Sequence, residues 1–212
     1  MRNGQLGRRR RVGLWLGLAG AALLLVAAAA WRLQLLAPPR FQGELLQPPA
    51  QAPDFRLTDT RGRSFDLASL RGKVVLLYFG YTTCPDVCPT TLSDLRQVQE
   101  RLGADARRVR VLFVTVDPER DTAARMAGYL EPFGFEPAAI GLTGSPGQLQ
   151  PVWKEYGVYV HKRQAAGAAT YLVDHSSYVY LIDPRGQLRL LFSFGTRPEA
   201  MLHDVRLILA GR

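Results

Sequence analysis

The sequence KVVLLYFGYTTCPDVCPTT, residues 73–91, decides the fold of this chain and carries its chemistry. Residues 74–79 form an uninterrupted apolar run, rich in β-branched and aromatic side chains, which predicts a buried central strand. Gly80 ends the run, and residues 81–88 (the cysteine loop) then carry Cys84 and Cys88, the only two cysteines. Pro89 suits the first position of a helix that begins there. Both sulfur atoms should therefore lie where a buried strand meets a helix N-terminus, whose partial positive charge favours thiolates.

Strands and helices alternate through the remainder of the chain. This order predicts an α/β fold of the thioredoxin-like type, in which a mixed sheet is flanked by helices on both faces. The predicted elements are a hairpin within 55–67, the strand 74–79, a helix over 90–102, a strand over 110–116, a helix through 126–133, a strand at 139–142, a helix over 146–156, a hairpin of 178–182 with 188–194, and a helix over 198–209.

A basic segment and an uncharged segment come first. Residues 1–11 contain five arginines, and residues 12–31 contain no charged side chain. As a helix, those 20 residues would span about 30 Å, the thickness of a bilayer's hydrocarbon core. We therefore predict a single transmembrane anchor at residues 12–36, with residues 1–11 in the cytoplasm. A cleaved signal peptide is the alternative, although its apolar region is usually shorter.

Residues 37–53 are rich in proline and poor in large apolar side chains, which predicts an extended tether. The folded domain is then expected over residues 54–212. The formal charge of the chain is +9, but residues 1–40 hold seven arginines and no acidic residue. The remainder carries only +2, which argues against nucleic-acid binding.

The cysteine pair admits several roles. A structural disulfide would close only a small loop and would therefore remove little chain entropy, so a redox dithiol or a thiolate metal site is favoured. A peroxidase of the peroxiredoxin type would need an arginine beside the reactive thiolate, and the closeness of Cys88 to Cys84 fits that role less well.

Among the histidines, only His175 has a suggestive context. It follows an apolar segment and precedes two serines and a predicted hairpin, and the residues alone leave open whether it is a ligand. His161 and His203 lack such a context, so we expect surface or structural roles for both.

Three acidic residues follow the predicted strand 110–116. Asp117 ends that strand at the sheet edge where sites gather in α/β folds, so it could shape the cysteine loop. Glu119 and Asp121 are expected to cap the next helix and to complement its dipole.

Four segments together resemble the Sco/SenC family of membrane-tethered copper-binding proteins, which have a thioredoxin-like fold. They are TCPDVCP (83–89), VDP (116–118), YLVDHSS (171–177) and LIDP (181–184). The resemblance covers residues 52–209, and the cysteine heptad combined with the distant Asp-His-Ser-Ser makes it specific.

The resemblance implies a metal site of Cys84, Cys88 and His175 that binds copper as Cu(I) or Cu(II). It implies a copper metallochaperone for the dinuclear copper centre of cytochrome c oxidase, with the oxidase's copper-bearing subunit as partner. Other periplasmic copper chaperones or thioredoxin-like reductants are further expected partners. The alternative is a thiol–disulfide reductase that uses Cys84 and Cys88, so enzyme activity stays open. The arginine- and alanine-rich start favours a bacterial inner membrane, with the domain in the periplasm.

Overall fold

The structure is a computed structural model that describes residues 23–32, 40–135, 138–164 and 170–211. The chain divides into two compact units, Met1–Arg40 and Phe41–Arg212. In the first unit, residues 23–32 are helical (α1).

The predicted basic segment 1–11 lies outside the described residues, as does most of the predicted anchor 12–36. Of the helices in the part of the chain that the structure describes, none is both long and apolar enough to cross a membrane.

The described residues of the second unit form ten strands in two sheets. They are β1 (Glu44–Gln51), β2 (Arg56–Asp59), β3 (Ser64–Asp66), β4 (Val74–Gly80), β5 (Val109–Thr115), β6 (Ala139–Thr143), β7 (Val160–Arg163), β8 (Leu172–His175), β9 (Val179–Ile182) and β10 (Gln187–Phe192). Eight form one sheet in the order β1-β10-β9-β4-β5-β6-β2-β3, and β7 pairs with β8 separately. The neighbours β4, β5 and β6 are parallel and the others antiparallel, which confirms the predicted mixed sheet.

Within the described part of this unit, the sheets are accompanied by helices α2 (Val87–Arg101), α3 (Ala123–Leu130), α4 (Pro146–Glu155) and α5 (Pro198–Leu209). Short 3-10 turns cover Leu67–Leu70, Gly103–Arg108 and Glu131–Phe133. In the chain, α2 comes between the parallel neighbours β4 and β5, as expected for the helix that connects two parallel strands.

The central strand β4 is buried along its whole length, and its two faces contact different helices. Consecutive side chains of a strand point to opposite faces. Tyr78 stacks on Phe113 of β5 and its hydroxyl contacts Cys88 of α2. Phe79 points the other way and packs against Tyr156, directly after α4, with ring centroids 5.5 Å apart. Helices therefore cover both faces of the sheet, as predicted.

The tether predicted for residues 37–53 is wrong in its second half, because residues 44–51 form β1 at the edge of the sheet. The pairing of β1 with β10 shifts register between Leu45 and Ala50, a stretch that contains Pro48 and Pro49. Proline lacks the N–H that a ladder needs, and an interrupted edge strand is where that loss is tolerated. The proline content therefore marks an edge strand here.

A buried carboxylate attaches the start of this edge strand to the domain. Asp204 of α5 is fully buried and accepts hydrogen bonds from the backbone N–H groups of Gln42 and Gly43 at 2.8–3.1 Å. The folded unit accordingly begins at Phe41 and not at the predicted residue 54.

Candidate metal centre

Both cysteines lie at the carboxyl end of β4, where the chain enters α2. The helix begins at Val87, before the predicted start at residue 90, so Cys88 is in its first turn. Cys88 is buried, Cys84 is partly exposed, and both are free thiols. The prediction that a buried strand delivers both sulfur atoms to a helix N-terminus is confirmed.

The two thiols differ in their affinity for protons. Hydrogen bonding from the Cys88 thiol lowers the pKa of Cys84 to about 4. The backbone N–H of Cys88 also donates to the Cys84 Sγ at 3.4 Å. The adjacent Cys84 sulfur and burial together raise the pKa of Cys88. At neutral pH the pair therefore holds a thiolate at Cys84 and a thiol at Cys88.

This asymmetry predicts the pH profile of alkylation. Only a thiolate reacts with iodoacetamide, and the lowered pKa keeps Cys84 ionised down to about pH 5. The alkylation rate of the reduced chain should therefore stay nearly constant from pH 8 to about pH 5 and fall only below that. Mass spectrometry of the peptides should locate the label on Cys84.

The urea-unfolded chain is the control, because its cysteines should titrate with an ordinary pKa of about 8.5. A folded-state rate that dropped about tenfold per pH unit below pH 8, as an ordinary thiol does, would contradict the assignment.

The sulfur of Cys88 packs closely between Tyr78 and the backbone of Gly80. The hydroxyl of Tyr78, itself fully buried, donates to the Cys88 Sγ at 3.4 Å. On the strand side there is no side chain at all: a Cβ on Gly80 would lie 2.9 Å from the Cys88 Sγ and 2.7 Å from the ring of Phe113. Glycine at the last position of β4 therefore leaves the space that the sulfur fills.

His175 reaches the same sulfur from β8. Its Nε2 lies 3.7 Å from the Cys88 Sγ, and its Nδ1 lies 2.9 Å from the carbonyl oxygen of Ser176. A carbonyl can only accept, so Nδ1 carries the proton of the neutral ring and Nε2 keeps its lone pair. The rings of Tyr78 and Tyr81 contact the imidazole edge to face. The ring thus presents an unprotonated nitrogen to the thiol.

Cys84 and His175 line one open cleft, and the sulfur of the buried Cys88 lies 3.7 Å from the His175 Nε2. In the residues that the structure describes, no group of three or more His, Cys, Asp or Glu side chains is placed so that it could already hold a metal ion. The donor set nevertheless fits a soft metal ion, because it offers a thiolate, an ionisable thiol and an unprotonated imidazole nitrogen.

The other two histidines lie elsewhere in the domain. His161 is exposed on β7 and stacks on Tyr159. His203 is on α5, where its Nδ1 lies 2.8 Å from Asp204. Both side chains are exposed, which is the surface position expected for them.

The prediction that Asp121 caps a helix is wrong. Thr122 caps α3 by accepting from the backbone of Arg125. Asp121 is fully buried and accepts from the N–H and hydroxyl of Thr82, at 3.1 and 2.6 Å, and from the hydroxyl of Thr115 at 2.7 Å. Asp121 therefore ties the cysteine loop to the end of β5, which is the role considered for Asp117.

The other two acidic residues contact β7 and the residue that precedes β8. Asp117 is fully buried, forms an ion pair with Arg120 and accepts from the hydroxyl of Tyr171 at 2.7 Å. Glu119, also predicted as a capping residue, instead pairs with Lys162 on β7 at 2.5 Å. Neither caps α3, because the chain places Thr122 at the cap position.

Comparison with known proteins identifies the family of this chain. The family model described as SCO1/SenC matches residues 43–210. The chain belongs to the SCO1/SenC family. Among curated proteins, the mitochondrial SCO2 homolog of Bos taurus is 44% identical over 72% of this chain and 58% of its own length. An SCO2-like protein of Rickettsia conorii is 36% identical over 72% of this chain and 74% of its own length.

A solved structure of this family shares the fold. ScoI of Bradyrhizobium japonicum, determined with copper bound, is 39% identical, covers 75% of this chain and 99% of its own, and has a TM-score of 0.68. The thioredoxin-like fold predicted for this SCO1/SenC member is thereby confirmed. The match to the bovine protein leaves more than a third of that protein's length unaligned.

Proposed function

We propose that this SCO1/SenC protein is a copper metallochaperone whose ligands are Cys84, Cys88 and His175. The observation that carries the proposal is the approach of the His175 Nε2 to within 3.7 Å of the Cys88 Sγ, with the ring proton held on Nδ1. The copper-bound relative at 39% identity supports copper as the metal.

The donor chemistry favours copper over a structural zinc ion. Thiolates select Cu(I), and imidazole suits copper in either oxidation state. Structural zinc sites use four protein ligands, often with three or four cysteines, whereas this chain has two. Three ligands on an open cleft leave a coordination position through which a recipient's ligand can take over the metal.

The recipient follows from the family resemblance. We propose delivery to the dinuclear copper centre in the copper-bearing subunit of cytochrome c oxidase during assembly. The chain would act from the bacterial inner membrane, anchored by residues 12–36, with its folded unit in the periplasm. Periplasmic copper chaperones and thioredoxin-like reductants are the expected partners for loading and for keeping the dithiol reduced.

A second function, thiol–disulfide reduction of a partner, is favoured by the unequal thiols. The Cys84 thiolate would attack a partner disulfide and release one partner thiolate. Cys88 would then give up its proton and attack the mixed disulfide, forming the Cys84–Cys88 disulfide and releasing the second partner thiol. This reaction needs no contribution from His175 as a ligand.

Substitution of His175 by alanine separates the two functions. Removal of one of three ligands should lower Cu(I) affinity at least about tenfold, measured by competition with a chromophoric chelator under reducing conditions. The reduced variant should still reduce a disulfide peptide at a rate close to that of the unsubstituted chain. His161→Ala is the matched control and should change neither measurement.

The outcome in cells decides between the functions. Failure of His175→Ala to restore oxidase assembly in a strain that lacks the protein supports the metallochaperone. Full restoration by His175→Ala, with loss of restoration by Cys84→Ser, would favour the reductase instead.

A further inference from the structure

In the residues that the structure describes, the strand that carries His175 is not paired with a strand of the main sheet. β8 pairs with β7 in a separate two-stranded sheet. Side-chain contacts therefore contribute to fixing its position relative to the cysteine loop. Three residues, one directly before β8 and two in the loop after β5, make such contacts, and we call them the arginine clamp: Asp117, Arg120 and Tyr171.

The contacts of the arginine clamp form a closed ring. The guanidinium carbon of Arg120 lies 3.8 Å from the centroid of the Tyr171 ring, and its Nη1 donates to the Tyr171 carbonyl oxygen at 3.0 Å. Its Nε donates to one oxygen of the Asp117 carboxylate. The Tyr171 hydroxyl donates to the other oxygen of that carboxylate at 2.7 Å. Each member thus contacts both others, which restricts the position of Tyr171 and therefore of the start of β8.

Tyr81, at the start of the cysteine loop, connects this ring to the metal ligand. Its hydroxyl accepts the backbone N–H of Val173 at 3.3 Å, and its ring meets the His175 ring edge to face at 5.9 Å. The guanidinium of Arg120 lies 5.8 Å from the centroid of the Tyr81 ring. Arg120 is therefore between the rings of Tyr81 and Tyr171.

The burial of Arg120 indicates a specific arrangement. Its side chain is 21% exposed and its Nη2 is buried without a hydrogen-bond partner within the described residues. Cation–π attraction to two rings offsets the missing acceptor, and the fully buried Asp117 balances the charge. An ordinary surface ion pair needs neither feature.

We propose that the arginine clamp positions His175 for metal binding, with Arg120 as its central positioning residue. The inference rests on the proposed function, because it concerns a ligand of the proposed copper site. With the clamp closed, β8 presents the imidazole to the Cys88 sulfur. With the clamp broken, β8 keeps its pairing with β7, the burial of Val173 and the hydrogen bond to Tyr81, but it loses its attachment to the loop after β5, and the ligand samples other positions.

Substitution of Arg120 by glutamine tests this in the full chain. Loss of the guanidinium should raise the hydrogen-exchange rate of the Val173 amide in the metal-free protein about tenfold. It should also lower Cu(I) affinity about tenfold, the lower range for loss of a group that orients a ligand. Arg63→Gln is the matched control, because Arg63 likewise pairs with a buried aspartate, Asp59, in the β2–β3 hairpin. The control should alter neither quantity.

The double variant with His175→Ala identifies the route of the effect. If Arg120 acts through His175, adding Arg120→Gln to His175→Ala should lower Cu(I) affinity no further. An equal loss with and without His175, or an unchanged Val173 exchange rate in Arg120→Gln, would overturn the clamp and leave the proposed function standing. Unchanged affinity in His175→Ala alone would instead overturn the proposed ligand set.

Discussion

Replacement of Cys88 by serine is expected to lower Cu(I) affinity more than about a hundredfold, because loss of an outer partner of a ligand already costs 10–100-fold. A serine hydroxyl does not ionise at neutral pH and is a hard donor, so it cannot replace a thiolate on Cu(I). The variant should still fold, since its hydroxyl can donate to the His175 Nε2, which lies 3.7 Å from the sulfur it replaces. Chelator competition at pH 7 measures the loss.

Tyr78→Phe is the matched control for Cys88→Ser. Tyr78 is the other polar group on the Cys88 sulfur, at 3.4 Å, but it is not a proposed ligand. Its loss should leave Cu(I) affinity within a few-fold of that of the unsubstituted chain. Comparable losses in the two variants would show that Cys88 matters for the shape of the site and not as a ligand.

Replacement of Gly80 by alanine is expected to damage both stability and copper binding. The added Cβ would lie 2.7 Å from Phe113, 2.9 Å from the Cys88 Sγ and 3.1 Å from the Tyr78 ring. β4 is buried along its whole length, so its backbone cannot move aside. Overpacking of this kind costs about 1–3 kcal/mol, which corresponds to a Tm lower by about 2–12 °C. Displacement of the sulfur should also weaken Cu(I) binding.

Gly128→Ala is a control of the same chemistry at a permissive site. Gly128 is exposed on α3, and nothing lies within 4 Å of the Cβ that alanine would add. Alanine is favoured over glycine inside a helix by up to about 1 kcal/mol, so this variant should be as stable as the unsubstituted chain or slightly more so. A Tm for Gly80→Ala equal to that of Gly128→Ala would refute the close approach of the sulfur to β4.

Local patterns predicted most of the elements around the site. The apolar run 74–79 became β4 with one residue added, and the hairpins within 55–67 and 178–194 became β2–β3 and β9–β10. Strand periodicity and turn chemistry depend on residues close together in sequence. Such signals can therefore be interpreted without knowledge of the tertiary structure.

The incorrect predictions concern residues whose partners lie far away in sequence. Proline content indicated a tether at residues 37–53, because nothing local announces that β10 runs alongside residues 44–51. Asp121 was assigned to a helix cap, a local role. Its observed partner Thr82 is 39 residues away and becomes a neighbour only because β4 and β5 are adjacent parallel strands.

Residues 73–91 alone predict that two thiols follow a buried strand at the start of a helix, because the strand, loop and helix signals are contiguous there. Which sulfur stays protonated follows from the folded arrangement, since it depends on the contact between Cys88 and the Cys84 sulfur and on the burial of Cys88. The tertiary structure also decided the approach of His175, 87 residues beyond Cys88. That approach depends on the separate β7–β8 sheet and the clamp at its edge, and both arise from packing between distant segments.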